Sequence, residues 1–213
     1  MRLHLTDSDL GFVDRSGTNP YRLFLTGTDL DVTNLSAGFV EGPAKAKLSG
    51  QFMGNAATSA SGTFRADPAG PDFNLAVKVE GGRLPSVNDF LRNYGKFDVV
   101  DGSFSIYTEI TVKNGRITGY VKPLFKDVDV YDSKQDKHKP VLKKLYEKVV
   151  GGLSHILENK PRDQVATVVD ISGTIENPKT STWRTIVRLV SNAFVKAILP
   201  GFQREYDAAG KRR

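Results

Sequence analysis

No cysteine occurs among the 213 residues, so the chain can hold neither a disulfide nor a thiolate-bound metal, and its stability has to come from packing. Histidine is nearly as scarce. His4, His138 and His155 stand far apart in the sequence, and none belongs to a His-Glu-x-x-His pair that would hold zinc. Long apolar runs are lacking too: nowhere do about 18 uncharged apolar residues follow one another, as a membrane-crossing helix requires. The opening Met1-Arg2-Leu3-His4-Leu5-Thr6-Asp7 has no basic stretch leading into an apolar one, so no secretion signal or anchor is expected there, and the chain as given is expected to be soluble. The phosphate-cradling Gly-x-x-x-x-Gly-Lys, the dinucleotide fingerprint and the Gly-x-Ser-x-Gly elbow are also missing. Ser154 and His155 are neighbours on a predicted helix and project about 100° apart, which is not a nucleophile and its base. These absences predict a protein that is not an enzyme and needs no cofactor.

Charge is unevenly spread. Residues 1–133 carry 14 Lys and Arg against 16 Asp and Glu, whereas residues 134–213 carry 16 against 8, so the net charge of +6 belongs to the C-terminal part. A basic excess suits anionic lipid, nucleic acid or acidic protein, and equally a solvated face. Nucleic acid is not expected, because Tyr146, Trp183, Phe194 and Phe202 fall on apolar helix faces and are not interleaved with Lys and Arg on an exposed one. The acidic residues point to no metal. Asp127 and Asp129 alternate with Val128 and Val130 before Asp132, the pattern of a polar strand face entering a solvated loop, and Asp7, Asp9, Asp29 and Asp31 stand in similar contexts.

Period-two alternation dominates residues 1–133 and predicts half-buried antiparallel strands. Phe104, Ile106, Thr108, Ile110 and Val112 share one face, and Asn114-Gly115 follows, the dipeptide of a two-residue type I′ turn. That turn sets Lys113 opposite Arg116, Val112 opposite Ile117, Ile110 opposite Gly119 and Thr108 opposite Val121. Earlier strands are expected over Leu3 to Thr6, Tyr21 to Leu35, Ala44 to Met53, Ala56 to Ala66 and Asp72 to Glu80. A bulge is expected near Gly27, where the apolar phase of the second strand flips, and a hairpin turn at Gly54-Asn55. The Ala, Thr and Ser of the return from Ala56 to Ser61 predict a broad, shallow surface beside that strand. A short helix is expected from Ser86 to Tyr94, capped by Ser86 and Asp89 and stopped by Gly95.

Beyond residue 133 the period becomes 3.6. One helix is expected over about 139–159, interrupted by Gly151-Gly152, then a strand from Gln164 to Ile175, then a helix over about 181–199. In the last, Arg184, Arg188, Ser191, Asn192 and Lys196 confine polarity to a narrow arc. Its wide apolar remainder fits a cap over the open end of the sheet, an interfacial membrane helix, or a protein-binding helix. The fold expected is α+β, mainly antiparallel β: a curved meander sheet or groove, an open half-barrel, with two C-terminal amphipathic helices. Residues 1–133 would form the body and residues 134–213 a helix, strand, helix annex packing on the sheet or closing it.

The segments Asp72-Phe73-Asn74-Leu75, Leu84-Pro85-Ser86-Val87-Asn88-Asp89-Phe90-Leu91, Asp101-Gly102-Ser103-Phe104 and Gly115-Arg116-Ile117-Thr118-Gly119-Tyr120-Val121-Lys122-Pro123-Leu124-Phe125 resemble the C-terminal region of bacterial AsmA-like proteins. The run Asn192-Ala193-Phe194-Val195-Lys196-Ala197 with Pro200-Gly201-Phe202 is similar to the end of that region, so the resemblance spans most of residues 20–205. It implies a periplasmic β-groove with an apolar interior, on proteins anchored in the inner membrane, that carries phospholipid toward the outer membrane or supports its biogenesis. The chain is shorter than a typical member and lacks the N-terminal anchor, as expected of a terminal domain or a truncated product. The expected partners are phospholipid or a membrane surface and envelope proteins. Phe104, Ile106, Ile110, Val112, Ile117 and Val121 are then the expected groove lining, and Trp183, Arg184, Arg188, Phe194 and Lys196 the expected contacts to membrane or partner. A structural or protein-interaction module with a closed β core is the alternative.

Overall fold

A computed structural model describes residues 1–15, 20–36, 42–67, 70–94, 98–131, 164–166, 168–175 and 185–195. One antiparallel sheet dominates. Its strands are β1 (Leu3–Asp14), β2 (Tyr21–Thr33), β3 (Ala44–Phe52), β4 (Ala56–Asp67), β5 (Gly70–Arg83), β6 (Asp98–Lys113), β7 (Arg116–Tyr131), β8 (Gln164–Ala166) and β9 (Val169–Thr174). Spatial order follows sequence order from β1 to β8, and β9 also pairs with β7. The sheet is open. β8 and β9 keep a single register against β7, with Leu124 opposite Ala166 and Val121 opposite Val169, so they are two pieces of one interrupted strand, the one expected from Gln164.

The β6–β7 hairpin shows how locally this fold is written. Asn114 and Gly115 both have positive φ, 49° and 70°, as a type I′ turn demands, and the four expected pairs are those observed. The neighbouring turn differs from expectation. Phe52 pairs with Ala56, so three residues, Met53, Gly54 and Asn55, make the turn, and the Asn55 side chain donates to the Met53 carbonyl. β1 extends well past Thr6 to Asp14, because a bulge resets its phase: Asp7 takes a φ of 46°, and its N–H is received by the Asp29 carboxylate at 3.2 Å. The bulge expected at Gly27 is present, with a register shift between Thr26 and Asp29.

A 3-10 turn (Leu84–Val87) and the helix α1 (Asn88–Tyr94) join β5 to β6. Pro85 starts the turn early, so Ser86 is not the cap that spacing suggested; its hydroxyl donates to the Arg83 carbonyl at 2.6 Å, and Asp89 pairs with Arg92. Asn88 fastens the helix to the sheet, donating to the Val99 carbonyl and accepting from the Val99 N–H, each at 2.9 Å. Residues 185–195 form the second helix, α2. The helix expected over 139–159, the Gly95 stop and the flanks of the one expected over 181–199 lie outside the described residues. Among the described residues no helix is long and apolar enough to cross a membrane.

Buried side chains concentrate where α1 and α2 meet the sheet. Phe104 lies across Gly82: a Cβ there would stand 2.5 Å from the ring Cζ, and Phe104, 2% exposed, cannot move aside. Gly82→Ala is therefore expected to destabilise the fold by about 1–3 kcal/mol in urea unfolding, whereas Gly11→Ala, whose Cβ would meet the Arg22 guanidinium at an ordinary contact distance of 3.6 Å, should change stability by less than about 0.5 kcal/mol.

Candidate functional site

Ladder register assigns every strand side chain to one of two faces. The row Leu3, Val32, Ala46, Gly62, Leu75, Ile110, Gly119 and Ile171 crosses the sheet on one face, and Leu5, Leu30, Leu48, Ala60, Val77, Thr108, Val121 and Val169 run beside it. Between them, on the other face, lie His4, Asp31, Lys47, Ser61, Ala76, Glu109, Tyr120 and Asp170. One face is thus apolar along its whole width and the other polar.

Burial on the apolar face is uneven. Ile110, Val121 and Ile171 are buried, as is Val32 near the other edge, Leu30, Leu48, Leu75 and Val77 are half-buried, and at the outer edge Leu3 and Leu5 are 44% and 37% exposed. What seals the inner end is an aromatic cluster centred on Phe194 of α2. Its ring centroid lies 5.9 Å from Phe90, 5.5 Å from Phe104 and 5.2 Å from Phe125, in edge-to-face geometry throughout. Tyr21 joins through Phe90 at 5.6 Å and Tyr94 at 5.8 Å, and Phe52 meets Phe104 at 6.4 Å. Thr28 lies on the apolar face against Gly50, buried, with a hydroxyl that finds no partner among the described residues.

The expected lining residues fall on this face together. Phe104, Ile110, Val112, Ile117 and Val121 are closed off, none more than 3% exposed, and only Ile106 is half-open. Phe194 is not a surface contact: it sits at the centre of the aromatic cluster, because the apolar arc of α2 faces the sheet. Arg188 is exposed on the opposite side of the helix, and Ser191, expected in the polar arc, is buried. Trp183, Arg184 and Lys196 lie outside the described residues. Sequence reasoning did not single out Leu30, Leu48, Leu75 and Val77, the half-open middle of the face. Their alternation was visible, but small Ala46, Ala60 and Gly62 between them dilute the apolar signal.

The polar face holds a depression of about 400 Å³ whose lining includes Lys47, Ser59, Ser61, Ala76, Lys78 and Tyr107. The Tyr107 hydroxyl donates to Glu80 at 2.9 Å, and Lys78 pairs with the same carboxylate at 2.9 Å. The hydrogen bond from Lys78, then that from Tyr107, holds the Glu80 carboxyl below its ordinary range. These groups satisfy one another. Among the described residues no three His, Asp or Glu side chains come together as a metal site.

Comparison of the chain with protein-family models, curated proteins and solved structures finds no match.

Two measurements check the aromatic cluster. Phe194→Ala should cost about 3–5 kcal/mol, read from urea unfolding, since it empties the point where three other rings converge. Burial, and then its hydrogen bond with Tyr94, drives the Tyr21 phenol well above its ordinary 10.0. The folded state therefore keeps a neutral Tyr21 while the unfolded chain ionises. Its contribution is complete below pH 10 and is lost as pH rises beyond, by about 1 kcal/mol between pH 10 and 11. Stability curves for wild type and Tyr21→Phe should converge by that amount on alkaline titration; parallel curves would show the phenol titrating normally.

Proposed function

We propose that the protein is a non-catalytic envelope domain of AsmA-like type that shields or carries phospholipid, with acyl chains lying on the apolar face of its sheet. The observation that carries this reading is one continuous apolar face that is buried at Ile117, Val121, Val169 and Ile171, half-open at Leu30, Leu48, Leu75 and Val77 and exposed at Leu3 and Leu5, with Val32, Ala44 and Thr58 buried between them. Ordinary packing closes such a face along its whole length, because leaving it wet forfeits about 25 cal/mol for each Å² of apolar surface. Leu30, Leu48, Leu75 and Val77 are half-buried, and the small side chains of Ala46 and Ala60 stand between them.

Two features support a bend in the sheet, which suits the same reading. Phe52 and Phe104 stand three strands apart, roughly 14 Å in a flat sheet, yet their rings meet at 6.4 Å. Phe104 leaning over Gly82 takes up one of those steps, and we take a bend of the sheet toward the apolar face to supply the rest. Bulges in β1, β2, β5 and β6–β7, with positive φ at Asp7, Gly27, Gly81 and Gly102, are the usual devices for such bending. The trough then runs across the strands, and the Phe194 cluster stops one end of it. The mechanism is exclusion of water from hydrocarbon, without covalent chemistry. The periplasm follows from the resemblance alone.

The alternative, a protein-interaction module with a closed β core, draws on one observation: five of the six expected lining residues are sealed. The two readings differ in what fills the middle of the face. Native mass spectrometry of protein purified from a bacterial envelope is expected to show bound phospholipid. Leu48→Asp with Val77→Asp should remove it while circular dichroism stays unchanged, and Ser59→Asp on the polar face should not. Protein free of lipid in all three forms would overturn the proposal and leave the interaction module.

A further inference from the structure

The two edges of the sheet fit each other. Among the described residues β1 has β2 as its one strand neighbour, and β9 has β7. An unpaired edge is a row of free N–H and C=O groups, a template for another strand. The middle of β1 is spoiled for that purpose, because register shifts between Leu5 and Leu10 and the positive φ of Asp7 kink it. Its regular stretches are Leu3–Leu5 and Leu10–Asp14, and in the first Leu3 and Leu5 are exposed on one face and His4 on the other.

Direction, face and charge all match across the two edges. Each strand from β1 through β7 to β9 is antiparallel to its neighbour, so β9 runs antiparallel to β1. The two apolar rows that end in Leu3 and Leu5 at one edge end in Ile171 and Val169 at the other, and the polar row between them runs from His4 to Asp170. Asp170 is exposed, while Arg2 and His4 bracket Asp31 at the opposite edge and supply the donors it would meet.

We infer that β9 of one copy of this chain adds to β1 of a second copy, antiparallel, with Ile171 opposite Leu3, Val169 opposite Leu5 and Asp170 opposite His4. The contact is head-to-tail, so it prolongs the apolar face from copy to copy and repeats until it closes or is capped. Pairing β1 with another β1 along its length is disfavoured, since it brings the acidic Asp7 and Asp9 of both strands together. The inference concerns assembly and stands whether or not the apolar face takes lipid.

Absence of cysteine makes the test direct. Residues opposed across an antiparallel pair have Cα atoms about 4.5–5.5 Å apart, within disulfide reach. His4→Cys and Asp170→Cys are both substitutions at exposed positions, and delipidated protein is used so that lipid binding does not enter the readout. Under mild oxidation neither variant alone should cross-link, their mixture should give a disulfide-linked pair, and the double variant should give a ladder of higher species. Adding Leu3→Lys and Leu5→Lys to the His4→Cys chain should lower the cross-linked fraction about tenfold with circular dichroism unchanged. Dimers of His4→Cys alone would show symmetric β1 pairing, and no cross-link in the mixture would show free edges; either result overturns the inference.

Discussion

A strand offers its side chains to two sides in strict alternation, and a sheet therefore has to do something with each side. Here one side is apolar from end to end, and the described covering is concentrated at the α1 and α2 end. Everything distinctive follows from that constraint. The Phe194 cluster is the place where the constraint is met by packing: four phenylalanines from α1, α2, β6 and β7 converge, and Asn88 pins α1 to Val99 so that the rings stay in reach. Away from it Leu30, Leu48, Leu75 and Val77 are left half-open on the same face.

The polar side solves its own problem by short-range pairing. Arg2 and His4 share Asp31, and Lys78 and Tyr107 share Glu80. Such exposed pairs contribute little stability each, but they keep a wide sheet face wetted and matched in charge. The C-terminal basic excess belongs to residues 134–213, most of which lie outside the described set, so the charge imbalance of the whole chain is not expressed on the sheet.

What could be read from the sequence was whatever depended on neighbours a few residues away. Asn114-Gly115 specified a turn, the turn specified a register, and the register placed Phe104, Ile106, Ile110 and Val112 on a common side with Ile117 and Val121. The phase flip near Gly27 announced its bulge for the same reason. Long-range facts were not legible. Nothing in the alternation of β6 tells a lining side chain from one sealed by a distant helix, and that distinction is made by Phe194, some 90 residues away in the chain. Ser86 misled because a proline one position earlier moved the start of the turn, and β1 ran past its expected end because a backbone carboxylate contact at Asp29 let the strand continue through a kink.

Strand order that copies sequence order has a kinetic side as well. Every strand from β1 to β7 completes its first ladder with the segment made just before it, so the sheet can assemble by adding hairpins one after another, with small loops to close at each step. Such a molecule behaves as a nearly one-dimensional array, in which stability is a sum over adjacent pairs and not a single global figure. Backbone amides next to the ring cluster should be the last to exchange with solvent, and those of β1 the first, so the protein frays from its amino-terminal margin inward and opens progressively, strand by strand.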